Sequence, residues 1–515
     1  MPSHPHANPL PSSLNATSGT PLKNKASSHH TQTYSDAEPA SVVWQVNHGF
    51  REVLRRGIGQ SLMKTKLEES LFPDEILKDA FPGKEFTLES VVDRLARIPN
   101  TPNLPDSDKR EVQWANYLNA ISDVVEQLTL TEAKRRWVAV YADKPVPNSK
   151  MLRKPDIALI PLDLQKVWRG KEFIRDSEVH WSMLCSTGEE KGKDEARTSK
   201  AEYSLDNVSG IYGFYPCPDI LTLDSAAQQI MDRAYFMFGS QPNRRFILNL
   251  SIAGTQMRLT QFNRAHILHG DYFDAELVPN YRRLLRIVIG LMFCTNEDVG
   301  YDPTITVKMS ATEDPVYYVT AGEKKYRIAK TLFRSDYICG RGTIVWRAVP
   351  ADCVDLEDES QWVTIKDVWA DASRVHMEDW FLRRARDAGI TEGVPELLWG
   401  GVVPFGRAGD ATDRHSSRVD QPTPVPVEHE QPVDQTRPKV PKVNRAHRRL
   451  VFKNCGIPIT QFRTKKELLE VLIELIQSTC SCGEMTDLSN SRSSLVHDRL
   501  VKNMACCIAI SASRT

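Results

Sequence analysis

"CGRGTIVWRAV", Cys339 to Val349, and "WVTIKDVW", Trp362 to Trp369, decide how this chain is read. The first is a glycine-rich turn running into a β-branched, aromatic segment. The second is another such segment with a lysine emerging from it. Gly340 and Gly342 carry no Cβ, so the backbone N–H groups of a turn there, with Thr343, can approach phosphate oxygens closely. Lys366 ends the alternating run "WVTIK" and so projects from the sheet face opposite Val363 and Ile365. Glu378 follows twelve residues later on a helical pattern and is a counter-ion able to hold the lysine extended, with the adjacent Asp379 as the other candidate. Taken singly, these features read as an ordinary tight turn and a solvated lysine. Taken in order, a flexible cradle and a fixed cation are the parts that handling a phosphoryl group requires.

The surroundings extend the pattern. "YRIAKTLFRSDYI", "IVWRAV" and "WVTIKDVW" are strand candidates, and "SRVHMEDWFLRRARDAG" is a helix ended by Gly389. "HRRLVFK" is a further strand. Thr464 and Glu467 form a T-x-x-E capping box that opens the helix "KKELLEVLIELIQ". Its Leu468, Leu469, Leu472, Ile473 and Ile476 share one face.

Upstream, Trp114, Tyr117, Leu118, Ile121, Val124, Val125 and Leu128 have the spacing of an amphipathic helix. Strand-like runs follow: "RWVAVYA" from Arg136, "PDIALIPL" from Pro155 and "SEVHWSMLC" from Ser177. Then come a helix capped by Asp224, "DSAAQQIMDRAYFMF", a hairpin around Ala253-Gly254, and the helix "YRRLLRIVIGLMF". The fold class expected is α+β. An N-terminal α/β extension occupies 41–310, a compact mixed unit 316–405, and a strand and helix 446–478. Residues 1–40 have too little apolar surface to fold and read as a disordered tail. Residues 406–445 hold six prolines between Pro422 and Pro441 and read as a linker or insertion. Residues 479–515 read as an atypical tail.

Composition narrows the functional classes. With Lys+Arg and Asp+Glu both at 66, the formal net charge is zero, so no global field draws the chain to nucleic acid or to an anionic membrane. No apolar run reaches the roughly 20 residues that span a bilayer, and the N-terminus has no secretory pattern. The expectation is an intracellular protein, cytoplasmic or nuclear. Cys480, Cys482, His497 and Cys506 match no common zinc-finger spacing. Arg244, Arg245 and Arg264 read as solvent-facing or paired with acids such as Asp271 and Asp274.

"GRGTIVW", "IKDVW", "EGVPELLWGG" and "HRRLVFKNCGIPITQF", preceded by "RKPDIAL", "QPNRRFILNLSIAGTQMRLTQFNRA" and "VGYDPTI", resemble the fungal-type protein kinase domain family, over about Lys154 to Gln477. The resemblance implies a protein kinase-like small lobe over 316–405 and a hinge and first large-lobe helix over 446–478. It also implies ATP and Mg2+ as cofactors and a protein Ser/Thr substrate. Gly340, Gly342 and Thr343 match the phosphate loop, Lys366 the strand lysine, Glu378 or Asp379 the helix acid, and Leu450 to Gly456 the hinge beside adenine. Members of the family continue into an H-R-D catalytic loop and a metal-holding D-x-G motif. Here "VHDRL" has His497, Asp498 and Arg499 in inverted order, and no D-F-G equivalent follows. The expectation is a truncated or pseudokinase form that binds nucleotide at most.

A rival reading attaches to the first region. Asp156 and Glu178, at the ends of neighbouring strands, can jointly hold a divalent metal that activates water on a phosphodiester. Helix, three strands, helix, strand around a P-D…E-x-K pattern resembles the restriction-endonuclease-like fold, although His180 stands where that pattern has lysine. A non-catalytic scaffold or interaction role is the third reading.

Overall fold

The architecture was taken from a computed structural model. It describes residues 60–95, 109–142, 146, 154–162, 181–191, 214–216, 225–308, 315–335, 337–390, 394–405, 408–409, 411–413, 415, 444–453, 455 and, with two gaps, 464–473. The chain divides into two units. The tail 1–40, Glu178, Asp224, Gly456 and the cysteines beyond 455 lie outside the described residues.

The first unit comprises residues up to Tyr301 with Asp336–Cys339 and His415–Val440. Its elements are β1 (Gln60–Lys64), α1 (Leu67–Leu71), α2 (Asp74–Asp79), α3 (Leu88–Leu95), α4 (Arg110–Thr129), β2 (Arg135–Val138), β3 (Ile157–Pro161), β4 (Ser186–Lys191), β5 (Phe214–Pro216), α5 (Ser225–Ser240), β6 (Ile247–Ala253), β7 (Gln256–Phe262), β8 (His266–His269), β9 (Phe273–Asp274) and α6 (Tyr281–Met292). The sheet runs β2-β3-β4-β6-β7-β8-β1-β5, with β9 beside β7. β2, β3 and β4 form an antiparallel meander, whereas β6 lies parallel to β4, reached through α5 as a parallel neighbour must be.

Both sheet faces are covered. Leu248, Leu250 and Ile252 pack with residues of α1–α4 and α6 in one core, while Ile160, Ile247 and Phe262 pack with Ile230 and Met237 of α5 in another. Burial on both faces is why β6 reads "ILNLSIA" and is buried throughout.

Of the strand expected over Ser177–Cys185, residues 177–180 lie outside the described residues and the rest is not a strand. Trp181–Met183 form one turn of 3-10 helix, and the third strand of the meander is the polar "STGEEK", Ser186–Lys191. Two of its polar groups bond to β6: Ser186 Oγ donates to the Leu248 carbonyl at 2.6 Å, and the Thr187 N–H donates to Asn249 Oδ1 at 3.1 Å. Gly188 is required there, because a Cβ would stand 2.5 Å from Ile157 Cγ1.

The second unit comprises Asp302–Ser335, Gly340–Arg414 and the chain from Pro441. Its elements are β10 (Ile305–Lys308), β11 (Val316–Ala321), β12 (Lys324–Arg334), β13 (Ile344–Pro350), β14 (Val363–Asp371), α7 (Glu378–Asp387), β15 (Leu397–Val402), β16 (Pro404–Phe405), β17 (Ala408–Gly409) and β18 (Arg445–Lys453). The sheet order is β10-β11-β12-β13-β14-β18-β15, antiparallel at every pairing. One face buries Val319, Trp346, Ile365 and Val451, and the other buries Val368, Leu450 and Phe452 against Leu382 of α7.

The chain over 406–445 is not linker throughout. β16 pairs with β17, Ala411 bridges Ala446, and Thr412 is fully buried. Downstream, Leu468 N–H donates to the Thr464 carbonyl at 3.2 Å, and Leu469 and Ile473 are more than half exposed.

Candidate nucleotide site

The site begins with register. Lys366 lies in the middle of β14, opposite Val345 on one side and Leu450 on the other. Strand alternation sends it to the face that α7 covers and sends Asp367 to the opposite face. Lys366 Nζ donates to Glu378 Oε1 at 2.7 Å and Oε2 at 2.9 Å. The lysine side chain is only 3% exposed, so this carboxylate pairs with a charge held almost out of water.

Glu378 is the first residue of α7, where the helix dipole favours an anion. The neighbouring acid has a different role: Asp379 accepts from Arg448 Nη2 at 2.6 Å. How α7 comes so close is written in "WGG". A Cβ on Gly400 of β15 would stand 2.8 Å from Asp379 Cβ, so only glycine lets the start of the helix seat there. Arg383 Nη2 fixes the same approach by donating to the Gly400 carbonyl at 2.8 Å.

The glycine turn connects β12 to β13 immediately before the lysine strand. Gly340 has φ +128° and Gly342 φ +48°, both in the region that side chains rarely adopt. A Cβ at Gly340 would meet no atom within 4 Å, so that side of the turn is open. Two hydrogen bonds anchor the rest. Ser335 N–H donates to the Thr343 carbonyl at 2.8 Å, and Trp369 N–H donates to the Arg341 carbonyl at 2.7 Å. The segment just before the turn packs within the first unit, where Arg264 Nη1 donates to the Tyr337 and Ile338 carbonyls at 2.9 and 3.1 Å.

On the far face of β14 lies a cluster that sequence reasoning missed. Arg449 of β18 donates through Nε and Nη2 to Asp367 at 2.6 and 2.7 Å, and through Nη2 to Asp302 at 3.0 Å. Its Nη1 reaches Thr304 Oγ1 and the Thr320 carbonyl. His447 Nε2 is 3.1 Å from Asp367 Oδ2, and its ring stacks on Trp369 at 4.4 Å. Burial pushes the Asp367 carboxyl up, but the Arg449 guanidinium outweighs it and holds the group at about 2. Asp302, Asp367 and His447 offer ligand atoms within 4.8 Å of one another, yet the guanidinium already pairs with both carboxylates. This is a buried ion cluster that ties β14 to β18 and to the chain entering the unit. Its sequence signal was the acid directly after the lysine, which alternation must turn to the face opposite Lys366.

Of the residues expected to act together, Gly340, Gly342 and Thr343 fall on one turn, and Lys366 and Glu378 on one ion pair. The rival pair is not seen together, since only Asp156 is described. It is buried before β3 and accepts from the Glu190 N–H at 2.8 Å. The arginines expected at the surface are interior. Arg244 donates to the Val299 carbonyl at 2.7 Å and to the Cys185 carbonyl at 2.6 Å, and Arg245 and Arg264 are likewise buried. Asp271 is taken instead by Arg283, and Asp274 by Thr255 and Gln256.

No curated protein and no solved structure matches the chain. The family model described as fungal protein kinase matches residues 187–482, a span that holds the glycine turn, the lysine strand, the helix acid and the strand leading to the hinge. That match covers more than half of the chain, which therefore belongs to the fungal protein kinase family.

Proposed function

We propose that the second unit binds ATP as a kinase small lobe does, with the phosphates under the turn of Gly340, Gly342 and Thr343 and against Lys366. The observation that carries this reading is the two-pronged ion pair between Lys366 and Glu378. In protein kinases the strand lysine, held by a helix glutamate, orients the phosphates, and a glycine loop covers them. A lysine that is almost wholly buried beside one carboxylate is costly to maintain for stability alone. Contact with a phosphate would give the buried cation a purpose. Glycines with positive φ and open space at Gly340 fit a backbone that approaches phosphate.

The fit to Mg2+ is poorer. Family members hold it with an aspartate after the catalytic loop, and among the described residues the acid nearest in sequence to Lys366, Asp367, is committed to Arg449. Residues 478–515 carry no H-R-D or D-F-G motif. The function proposed for residues 1–515 is therefore nucleotide binding without phosphoryl transfer of their own, in the service of a protein partner.

Titration of the full chain with a fluorescent ATP analogue tests this. Lys366→Met removes one charge-assisted contact, so affinity should drop about 10- to 100-fold. Equal affinity in the two proteins, with the variant's melting temperature intact, sinks the proposal. Labelled-ATP assays should show no turnover above the same variant.

A further inference from the structure

Lys366 also fixes where the rest of a nucleotide lies. In one direction from it the same face is filled, because Val368, Leu450 and Phe452 are buried against Leu382 of α7 and Leu397 of β15. A base attached to phosphates at Lys366 then lies in the other direction, toward Thr364. That residue stands two positions along β14, about 7 Å away, on the same face.

Register supplies the groups found there. Arg347 of β13 is the residue opposite Thr364, and Lys330 of β12 is opposite Arg347, so the three share one face. Lys330 is exposed. Cys455, just past β18, comes to the same place: burial pushes its thiol up, while Thr364, Arg347 and Lys330 act against that shift. This part of the face therefore presents a guanidinium and an ammonium, both of which only donate, beside one hydroxyl and one thiol.

Arg347 is fixed in place with most of its donors unspent. Its guanidinium carbon lies 3.9 Å from the centroid of the Trp362 ring, and that ring is pinned by Trp362 Nε1, which donates to the Leu356 carbonyl at 3.0 Å. Stacking of this kind orients the guanidinium plane without using its N–H groups. Among the described residues only Nη2 has a hydrogen-bond partner, Glu357 Oε1 at 3.3 Å. The Glu357 side chain is 75% exposed, where such a pair is worth little, and that of Arg347 is 16% exposed. A fork held this way selects a base edge with two adjacent acceptors. Guanine has that edge in O6 and N7, whereas adenine sets the N6 donor beside N7.

We propose, resting on the phosphate site put forward above, that the base subsite of the second unit is built for guanine, with Arg347 donating to O6 and N7. The unit then takes GTP in preference to ATP, which it holds through the same phosphate contacts but with one acceptor fewer for the fork. Lys330 adds a second donor to the same base edge.

Calorimetric titration of the full chain with GTP, ATP, ITP and 7-deaza-GTP tests this before any residue is changed. GTP should bind at least about tenfold tighter than ATP. ITP keeps O6 and N7 and lacks only the 2-amino group, so it should match GTP within about threefold, and 7-deaza-GTP, which has lost N7, should bind about tenfold more weakly than GTP. Arg347→Met should lower GTP affinity about tenfold while moving ATP by less than about threefold, and Arg347→Lys, a point charge without the fork, should do the same. ATP or 7-deaza-GTP binding as tightly as GTP, ITP binding as weakly as ATP, or a GTP preference retained in Arg347→Met would overturn the proposal. If GTP and ATP bind the parent equally and Lys366→Met weakens both, the guanine subsite falls and the phosphate site stands. If neither nucleotide binds, both fall.

Discussion

Replacing Asp367 by Asn should cost stability that depends on pH in a defined direction. The carboxylate receives two bonds from Arg449 and one contact from His447, and it is held at about 2 instead of the ordinary 3.8. At ~1.36 kcal/mol per pKa unit, that difference corresponds to about 2 kcal/mol of native-state stabilisation. A folded-state pKa below the unfolded one means that the contribution is complete above pH 3.8 and is lost as pH falls toward 2. Asparagine keeps the shape but has no charge to lose, so its deficit against the parent should be full at pH 6 and should close between about pH 4 and pH 2. With a urea slope of about 2 kcal/mol per molar, the midpoint at pH 6 should fall by roughly 1 M. Tryptophan emission is the natural readout, because Trp369 stacks on His447 beside the substituted group. The groups that do not touch Asp367 are common to both proteins, so the change of the difference between about pH 4 and pH 2 reports chiefly on this carboxyl. A deficit that is equal at pH 6 and pH 2.5, or absent at pH 6, would refute the ion-cluster account.

Two further substitutions test packing that the function depends on. Gly400→Ala should push the start of α7 away from β15, since its Cβ would stand 2.8 Å from that of Asp379; binding of the ATP analogue should weaken several-fold, and unchanged binding would show that the helix approach is not set there. Gly188→Val should destabilise the first unit by about 1–3 kcal/mol through overlap with Ile157, and thermal unfolding should show Ile157→Val restoring part of the loss.

Much of the second unit was legible because its determinants are local. Alternation in "IVWRAV" and "WVTIK" placed the strands and the face of Lys366, and a twelve-residue interval with a helix start placed Glu378 across from it. The partner of Asp379 was not legible, because Arg448 is distant in sequence and becomes a neighbour only through the β14–β18 ladder. The same limit hid Arg449, whose partners Asp302 and Asp367 lie 147 and 82 residues away. "STGEEK" escaped for a different reason. Hydrophobic patterning finds strands that bury apolar side chains, and this one buries serine, threonine and glutamate, with Ser186 Oγ and the Thr187 N–H bonded to β6 and Glu189 to Arg233 of α5. Arg244, Arg245 and Arg264 were misplaced because charge was equated with exposure, whereas each has backbone carbonyls to donate to inside the unit.

The assignment of Asp336–Cys339 and His415 to the first unit bears on the order in which the chain acquires structure during synthesis. Ile338 and Cys339 belong to the core that α5 forms with the sheet, and the His415 carbonyl accepts from Gln261 Nε2 at 2.8 Å. These pieces emerge from the ribosome only after β10, β11 and β12 of the other unit. The first unit must therefore wait, incomplete, while part of its successor is already being made. Such interleaving lengthens the loops that have to close, which slows folding and prolongs the exposure of apolar surface. A break in the polypeptide at residue 301 would not deliver two finished domains.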